Sequence, residues 1–191
     1  MSEQLKHHLN KVVEITDEEF PSILEYFETV KLKKKQNLQQ IGQVCHSNYF
    51  VEIGCIRMFF VNEKGIEQTT QFAIENWWIT DYLAYTFQKE SEFTLQAVER
   101  TTVLSIHFQA QEKLLKEFPK LEKYFRHIYQ RAYAASQMRM KFMYDFSKEE
   151  LYLHFNKHFP EFVQRVPQYL LASFLGLTPE YLSEIRKKSI S

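Results

Sequence analysis

Cysteine is nearly absent from this sequence: only Cys45 and Cys55 occur among its 191 residues. Two cysteines are too few for a disulfide framework, and they have no metal-ligand spacing, so a reduced cytoplasmic protein is the expectation. Glycine is scarce at four, and lysine plus arginine (24) equal aspartate plus glutamate (24). With zero formal charge, no global basic field draws in nucleic acid, and any DNA binding must come from a local patch. No run of eighteen apolar residues occurs, and the opening MSEQLKHHLNKVVEITDEEF lacks the apolar centre of a signal peptide; no membrane association is expected. Also missing are a Gly-rich phosphate loop, G-x-S-x-G, H-E-x-x-H and a pair of catalytic carboxylates. The chain reads as a non-enzyme with no cofactor.

What is present is bulky. Aromatic residues make up 16% of the chain, more than a disordered polymer would carry, and the length suits one large domain or two small ones. The pattern changes character along the chain. Thr16-Asp-Glu-Glu19 has the form of a capping box, in which hydroxyl and carboxylate satisfy each other's orphan amides. The spacing then predicts a helix with Leu24, Phe27 and Val30 on one face. From about Val30 to Phe108, runs such as NYFVEIG, CIRMFFVN and FTLQAV are strand-like, with Asn62-Glu-Lys-Gly65 as a hairpin loop. Short strands so close in sequence imply antiparallel pairing, hence a sandwich or a roll.

After Gln109 the pattern stays helical. Leu121, Phe125, Ile128, Ala132, Ala135, Arg139, Phe142 and Phe146 alternate four-three spacing on a helix roughly 40 Å long. A period of 3.5 is the coiled-coil signature and predicts a homodimer seam along residues 119–146, with Arg139 as an interruption. Ser147-Lys-Glu-Glu150 opens a further helix to about His158, which Pro160 ends. The expected fold is α+β: a β-roll over residues 1–118, a dimerisation helix over 119–146 and a helical DNA-binding domain over 147–191.

The stretch VPQYLLASFLGLTPEYLSEIRKK carries the strongest motif. Two helices that cross closely at a fixed angle need particular residue types at fixed offsets. The first helix is predicted over Gln168–Leu175, with Ala172 small at the crossing and Gly176 free to take the left-handed turn. Leu171, Leu175, Leu177, Leu182 and Ile185 fill the apolar positions; Thr178 caps the second helix and Pro179 takes its first position. This is a helix-turn-helix, with double-stranded DNA as the expected partner. The candidate DNA contacts are Arg165, Gln168, Thr178, Glu180, Tyr181, Ser183, Lys187 and Lys188. Glu184 runs against phosphate binding, and from Ser147 onward six basic residues face five acidic ones, so two copies are expected to act together.

This order of elements resembles the cyclic-AMP receptor/FNR (Crp/Fnr) family of bacterial transcription regulators. The likeness rests on Gly54-Cys-Ile-Arg57-Met-Phe-Phe60, on Asn62, Gly65, Glu67 and Phe72, on the long helix and on the C-terminal motif. It implies a roll that senses a small effector, a dimerising helix, and a second motif helix that enters the major groove. The family's cyclic-nucleotide cassette, a Gly-Glu pair followed by an Arg, is not matched. Asn76, Trp77 and Trp78 stand near the pair, and Ser91 or Glu92 stands where the Arg belongs. Cyclic AMP is therefore not expected to bind in the family's manner, since a carboxylate repels a phosphate. Ala134 and Ala135 replace the helix hydroxyls that reach the purine, with Tyr133 and Ser136 adjoining. The sequence stops at Ser191, where the family's β-wing would follow, and a truncated winged helix is expected. The effector is unknown, and its candidate pocket residues are Trp77, Trp78, Ser91, Glu92 and Tyr133.

Two other patterns have plain alternatives. Glu150, His154 and His158 share a helix face with spacing that suits zinc, or simply form a solvated polar face without a fourth ligand. Cys45-His46 reads as a redox or haem-ligand element, or as a small buried hydrophobe beside a surface histidine.

Overall fold

A computed structural model describes residues 3–188. Two short helices, α1 (Glu3–Asn10) and α2 (Glu19–Leu24), precede strands β1 (Glu28–Leu32), β2 (Asn37–Gln39), β3 (Ser47–Ile53), β4 (Ile56–Val61), β5 (Glu67–Ala73) and β6 (Trp78–Ile79). Helix α3 (Tyr82–Phe87) interrupts the roll before β7 (Thr94–Ala97) and β8 (Thr101–His107). Helices follow to the end: α4 (Phe108–Glu117), α5 (Lys120–Asp145), α6 (Lys148–His158), α7 (Pro160–Arg165), α8 (Gln168–Leu175) and α9 (Pro179–Lys188). The chain divides into two compact units. One comprises Met1–Phe60 with Phe72–Arg131, the other Val61–Gln71 with Ala132–Ser191.

The strands form two four-stranded sheets, ordered β1-β8-β3-β6 and β2-β7-β4-β5. The β1–β8, β2–β7, β3–β6, β3–β8 and β4–β7 pairings are all antiparallel, and each joins strands that are not neighbours in the chain. The alternation of side chains along each strand assigns two cores in the first unit. Tyr49 and Val51 of β3 and Val103 of β8 pack with Ile56, Leu95 and Ala97 of the other sheet, inside the roll. Phe50, Leu104 and Ile106, one residue out of phase, join Leu5, Leu9, Phe20, Ile23, Leu114, Leu121, Tyr124 and Phe125 beneath the helices. The first sheet is therefore buried on both faces.

The Thr16–Glu19 box forms, with Thr16 N–H donating to the Glu19 carboxylate at 3.0 Å and Glu19 N–H to the Thr16 hydroxyl at 3.2 Å. The helix it opens is shorter than the spacing predicts: α2 stops at Leu24, and Val30 belongs to β1, paired with Val103. Leu24 and Phe27 pack against the helical core, whereas Val30 packs against the core inside the roll, so the i, i+3 spacing runs on past the end of the helix without marking one face. Gly65 takes φ +74° in the Asn62–Gly65 loop, whose Asn62 side chain accepts the N–H groups of Lys64 and Ile66.

One polar chain threads the helical core. The Trp78 indole N–H donates to the Tyr124 hydroxyl at 2.8 Å, which stands 2.7 Å from His8 Nδ1. The Tyr124 hydroxyl thus bridges the indole and the imidazole. Burial, aided by Lys11, Arg131, His127 and His7, lowers the His8 pKa from 6.5 to about 4. The unfolded chain then binds a proton that the folded one refuses. Stability should be flat above about pH 7, fall as pH drops from 6.5 towards 4, and level off below, with at most about 3 kcal/mol from this residue. Urea titrations of the native chain and His8→Gln across that window check this: the native chain should lose the extra stability and the variant should not. Equal slopes would rule out His8 as the source.

In the second unit, Tyr152, Val163, Leu171, Ala172, Leu175, Leu177, Leu182 and Ile185 make a separate core. The predicted seam on α5 is largely engaged within the chain. Leu121 and Phe125 are buried, and Ile128 packs beside them. Arg139 donates to the carbonyls of Thr70 and Phe174, with its guanidinium 4.0 Å from the Phe174 ring; burial lowers its pKa to about 10. The exposed apolar residues of α5 are Tyr129, Tyr133, Met138, Met140, Met143 and Tyr144. Most of these form a stripe that, at about 100° per residue, lies roughly a quarter turn from the seam.

Candidate nucleic-acid interface

The helix-turn-helix is built from local chemistry. Helix α8 ends on Gly176, whose φ of +69° is the left-handed conformation that a side chain would strain. Its N–H and that of Leu177 return to carbonyls of Ser173 and Ala172, closing the helix. Thr178 then accepts the Tyr181 N–H at 3.2 Å, capping α9. Pro179 follows where no amide proton is needed. Leu171 and Ala172 on α8 and Leu182 on α9 are fully buried, and Ile185 nearly so. The small Ala172 side chain lets the helices approach.

A polar tie adds to this apolar lock. Gln168 Nε2 donates to Ser183 Oγ at 2.6 Å, while Arg186 reaches Gln168 Oε1 at 3.4 Å. Gln168 and Ser183, both expected to touch DNA, thus hold α8 and α9 together. Sequence spacing does not reveal this, because it lists polar residues on a helix surface without saying what they face. On α8, Ser173 Oγ accepts the Thr69 N–H at 2.9 Å and donates to the Glu67 carbonyl at 2.8 Å, occupying backbone groups of β5.

Of the other expected contacts, Arg165 lies in α7, and Glu180, Tyr181, Lys187 and Lys188 are exposed on α9, as is Glu184, which is not one of them. Acid stands at the N-terminal end of α9 and base at its C-terminal end, which complements the helix dipole. The α9 surface alone therefore carries opposite charges at its two ends. Pro160 both ends the preceding segment and starts α7, a helix not expected from the sequence.

The expected effector residues fall in different surroundings. Trp78 lies in the helical core against Phe50 and Phe125 and spends its N–H on Tyr124. Trp77 and Tyr133 are exposed. Asn76 takes φ +68°, and its N–H donates to the Val51 carbonyl. Ser91 and Glu92 converge on Asp81, a buried carboxylate that sequence reasoning missed. It accepts the Ser91 hydroxyl at 2.9 Å, the Glu92 N–H at 3.3 Å and the Ala84 N–H at 3.2 Å, the last as N-cap of α3. The signal available was Asp81 followed by an apolar run, a helix start. Ser136 donates to the Ala132 carbonyl one turn back.

Cys45 is buried with Thr80 at 3.2 Å, and burial raises its pKa, the state of an inert thiol. Among the described residues no group of three or more His, Cys, Asp or Glu could hold a metal ion, and no helix is long and apolar enough to cross a membrane.

No protein-family model matches the chain, and no curated protein matches it. Solved structures do. The c-di-GMP-responsive global regulator CLP, which links cell-cell signalling to virulence gene expression in Xanthomonas campestris, is 14% identical with a TM-score of 0.72, over 88% of this chain and 89% of that one. FixK2 from Bradyrhizobium japonicum is 13% identical with a TM-score of 0.70, over 85% and 83% of the two chains. The Thermus thermophilus catabolite activator protein is 17% identical with a TM-score of 0.58, over 91% and 83%. The chain has the fold of these proteins, an antiparallel β-roll with a long helix and a C-terminal helix-turn-helix, as the resemblance to the Crp/Fnr family implies.

Proposed function

We propose that the chain is a homodimeric transcription regulator of the Crp/Fnr type that places α9 in the major groove of double-stranded DNA. The observation that carries this is the α8–turn–α9 lock: Gly176, the Thr178 cap and the buried Ala172, Leu171, Leu182 and Ile185. Regulators of gene expression with the same fold add support. Residues 1–118 sense an effector, 119–146 form the dimer and 147–191 read DNA. The exposed Tyr133, Met140, Met143 and Tyr144 offer α5 an apolar face for its partner copy. Arg165, Thr178, Glu180, Tyr181, Lys187 and Lys188 contact DNA, with Gln168 and Ser183 also holding α9 in place. Glu180 suits a cytosine amino group.

The effector is a small molecule other than cyclic AMP bound in the family's manner. The donors around Ser91 and Glu92 already serve the Asp81 carboxylate, so a phosphate there would meet a buried anion. A second reading draws on the exposed Glu180 and Glu184: a module of the same fold that acts through a protein partner instead of DNA.

Selecting bound DNA from a random pool at two salt concentrations separates them. A regulator should enrich two related half-sites about 34 Å apart. Lys187→Gln with Lys188→Gln should weaken binding across sequences and reduce the salt slope by about 1 per lysine in phosphate contact. The absence of both enrichment and a salt slope would rule out DNA reading.

A further inference from the structure

Helix α6 presents two histidines one turn apart. His154 and His158 occupy i and i+4, and their ring centroids are 4.2 Å apart. His158 Nδ1 lies 2.8 Å from the His154 backbone carbonyl. A carbonyl oxygen only accepts, so His158 carries its proton on Nδ1 and keeps a lone pair on Nε2. This is the arrangement by which protein metal ligands fix their tautomer: one ring nitrogen donates to a carbonyl and the other faces the ion. His154 is held on its other side by Phe142 and Phe146, with centroids 4.6 and 5.1 Å away.

A second histidine pair shows what the contrast means. His46 and His107 stack with centroids 5.4 Å apart. His107 Nδ1, however, accepts the Gln109 N–H at 3.2 Å. Its proton therefore sits on Nε2, and no outward lone pair remains. Glu150, one turn before His154, gives one carboxylate oxygen to the Ser147 N–H at 2.8 Å in the capping box.

We infer that His154 and His158 form a two-donor chelate for a divalent transition-metal ion of the zinc, nickel or copper class, with water completing its coordination. Imidazole suits these ions, and two donors from one helix face bind without folding cost elsewhere. The ion would staple the last two turns of α6, where Phe155 meets Phe159, Phe162 and Phe174. This site is independent of DNA reading.

Nickel(II) titrated into the full chain, stripped of metal and held near pH 7.5, tests the inference by calorimetry. One ion per chain is expected, with affinity reduced about tenfold or more in His154→Gln and in His158→Gln, and unchanged in His107→Gln. Circular dichroism without metal verifies that each variant is folded. On the native chain, nickel should protect His154 and His158 from diethyl pyrocarbonate, mapped by mass spectrometry, whether or not the variants fold. Binding unchanged in the double variant, protection confined to other histidines, or no saturable binding would each overturn the site.

Discussion

Gly54→Ala should lower the stability of the first unit by about 3 kcal/mol or more. Gly54 sits between β3 and β4 at φ +100°, a conformation that a side chain strains by about 1–2 kcal/mol. Space is the larger problem. A Cβ there would lie 2.5 Å from Thr101 Oγ1 and 2.7 Å from the Arg100 carbonyl oxygen. Thr101 cannot move aside cheaply, because its buried hydroxyl accepts the Cys55 N–H and donates towards the carbonyls of Cys55 and Glu99. Overpacking of a tight site costs roughly 1–3 kcal/mol in addition. Against a typical total of about 5–15 kcal/mol this is a large fraction. Gly42→Ala is the matched control, with φ +82° but nothing within 4 Å of the added carbon. Urea midpoints should separate the two variants clearly. Equal shifts would show that backbone strain alone, and not the close approach to Thr101, fixes glycine at position 54.

Leu171→Ala should be comparably severe in the second unit, at about 2–5 kcal/mol. Leu171 is fully buried among Tyr152, Val163, Ala172, Leu182 and Ile185. Truncation removes its contacts and leaves a cavity between α8 and α9 that a helix pair cannot easily collapse. The core of this unit is small, so one large side chain is a substantial part of what orients α9. Thermal melting of the variant should show an early transition for this unit, and the DNA binding proposed above should be lost at the temperature where that transition falls. Leu171→Met, close in volume, should cost less than about 1.5 kcal/mol and retain binding. A native melting curve for Leu171→Ala would mean that the pair is held mainly by the Gln168–Ser183 tie.

The helix-turn-helix was legible because its constraints are local. Gly176, Thr178 and Pro179 each answer a backbone requirement within a few residues, and the leucines fall at fixed offsets around them. The Asn62–Gly65 loop and both capping boxes were legible for the same reason. Longer-range facts were not. A spacing of 3.5 on α5 identifies residues that pack, yet it does not distinguish a second copy from the chain's own core, where Leu121 and Phe125 lie. Arg139 looked like a fault in the seam, whereas its guanidinium satisfies two carbonyls that no sequence pattern brings near it. In the roll, Trp78 and Ser91 were chosen by their place in a family pattern. Their actual partners, Tyr124 and Asp81, lie 46 and 10 residues away in sequence. Helix α3 was missed because six apolar-rich residues between strands fit either kind of element.

The Ser173 and Arg139 contacts bear on how this protein can be taken apart. The residues they hold, Glu67, Thr69 and Thr70, belong by packing to the C-terminal helices but by sequence to the middle of the roll. No single cut in the chain releases the C-terminal helical unit together with its own hairpin tip. A fragment beginning at Ala132 would leave Arg139 without the Thr70 carbonyl and Ser173 without the Glu67 carbonyl. Exchanging these helices between proteins of this fold as a cassette would therefore require carrying residues 61–71 along as a second graft.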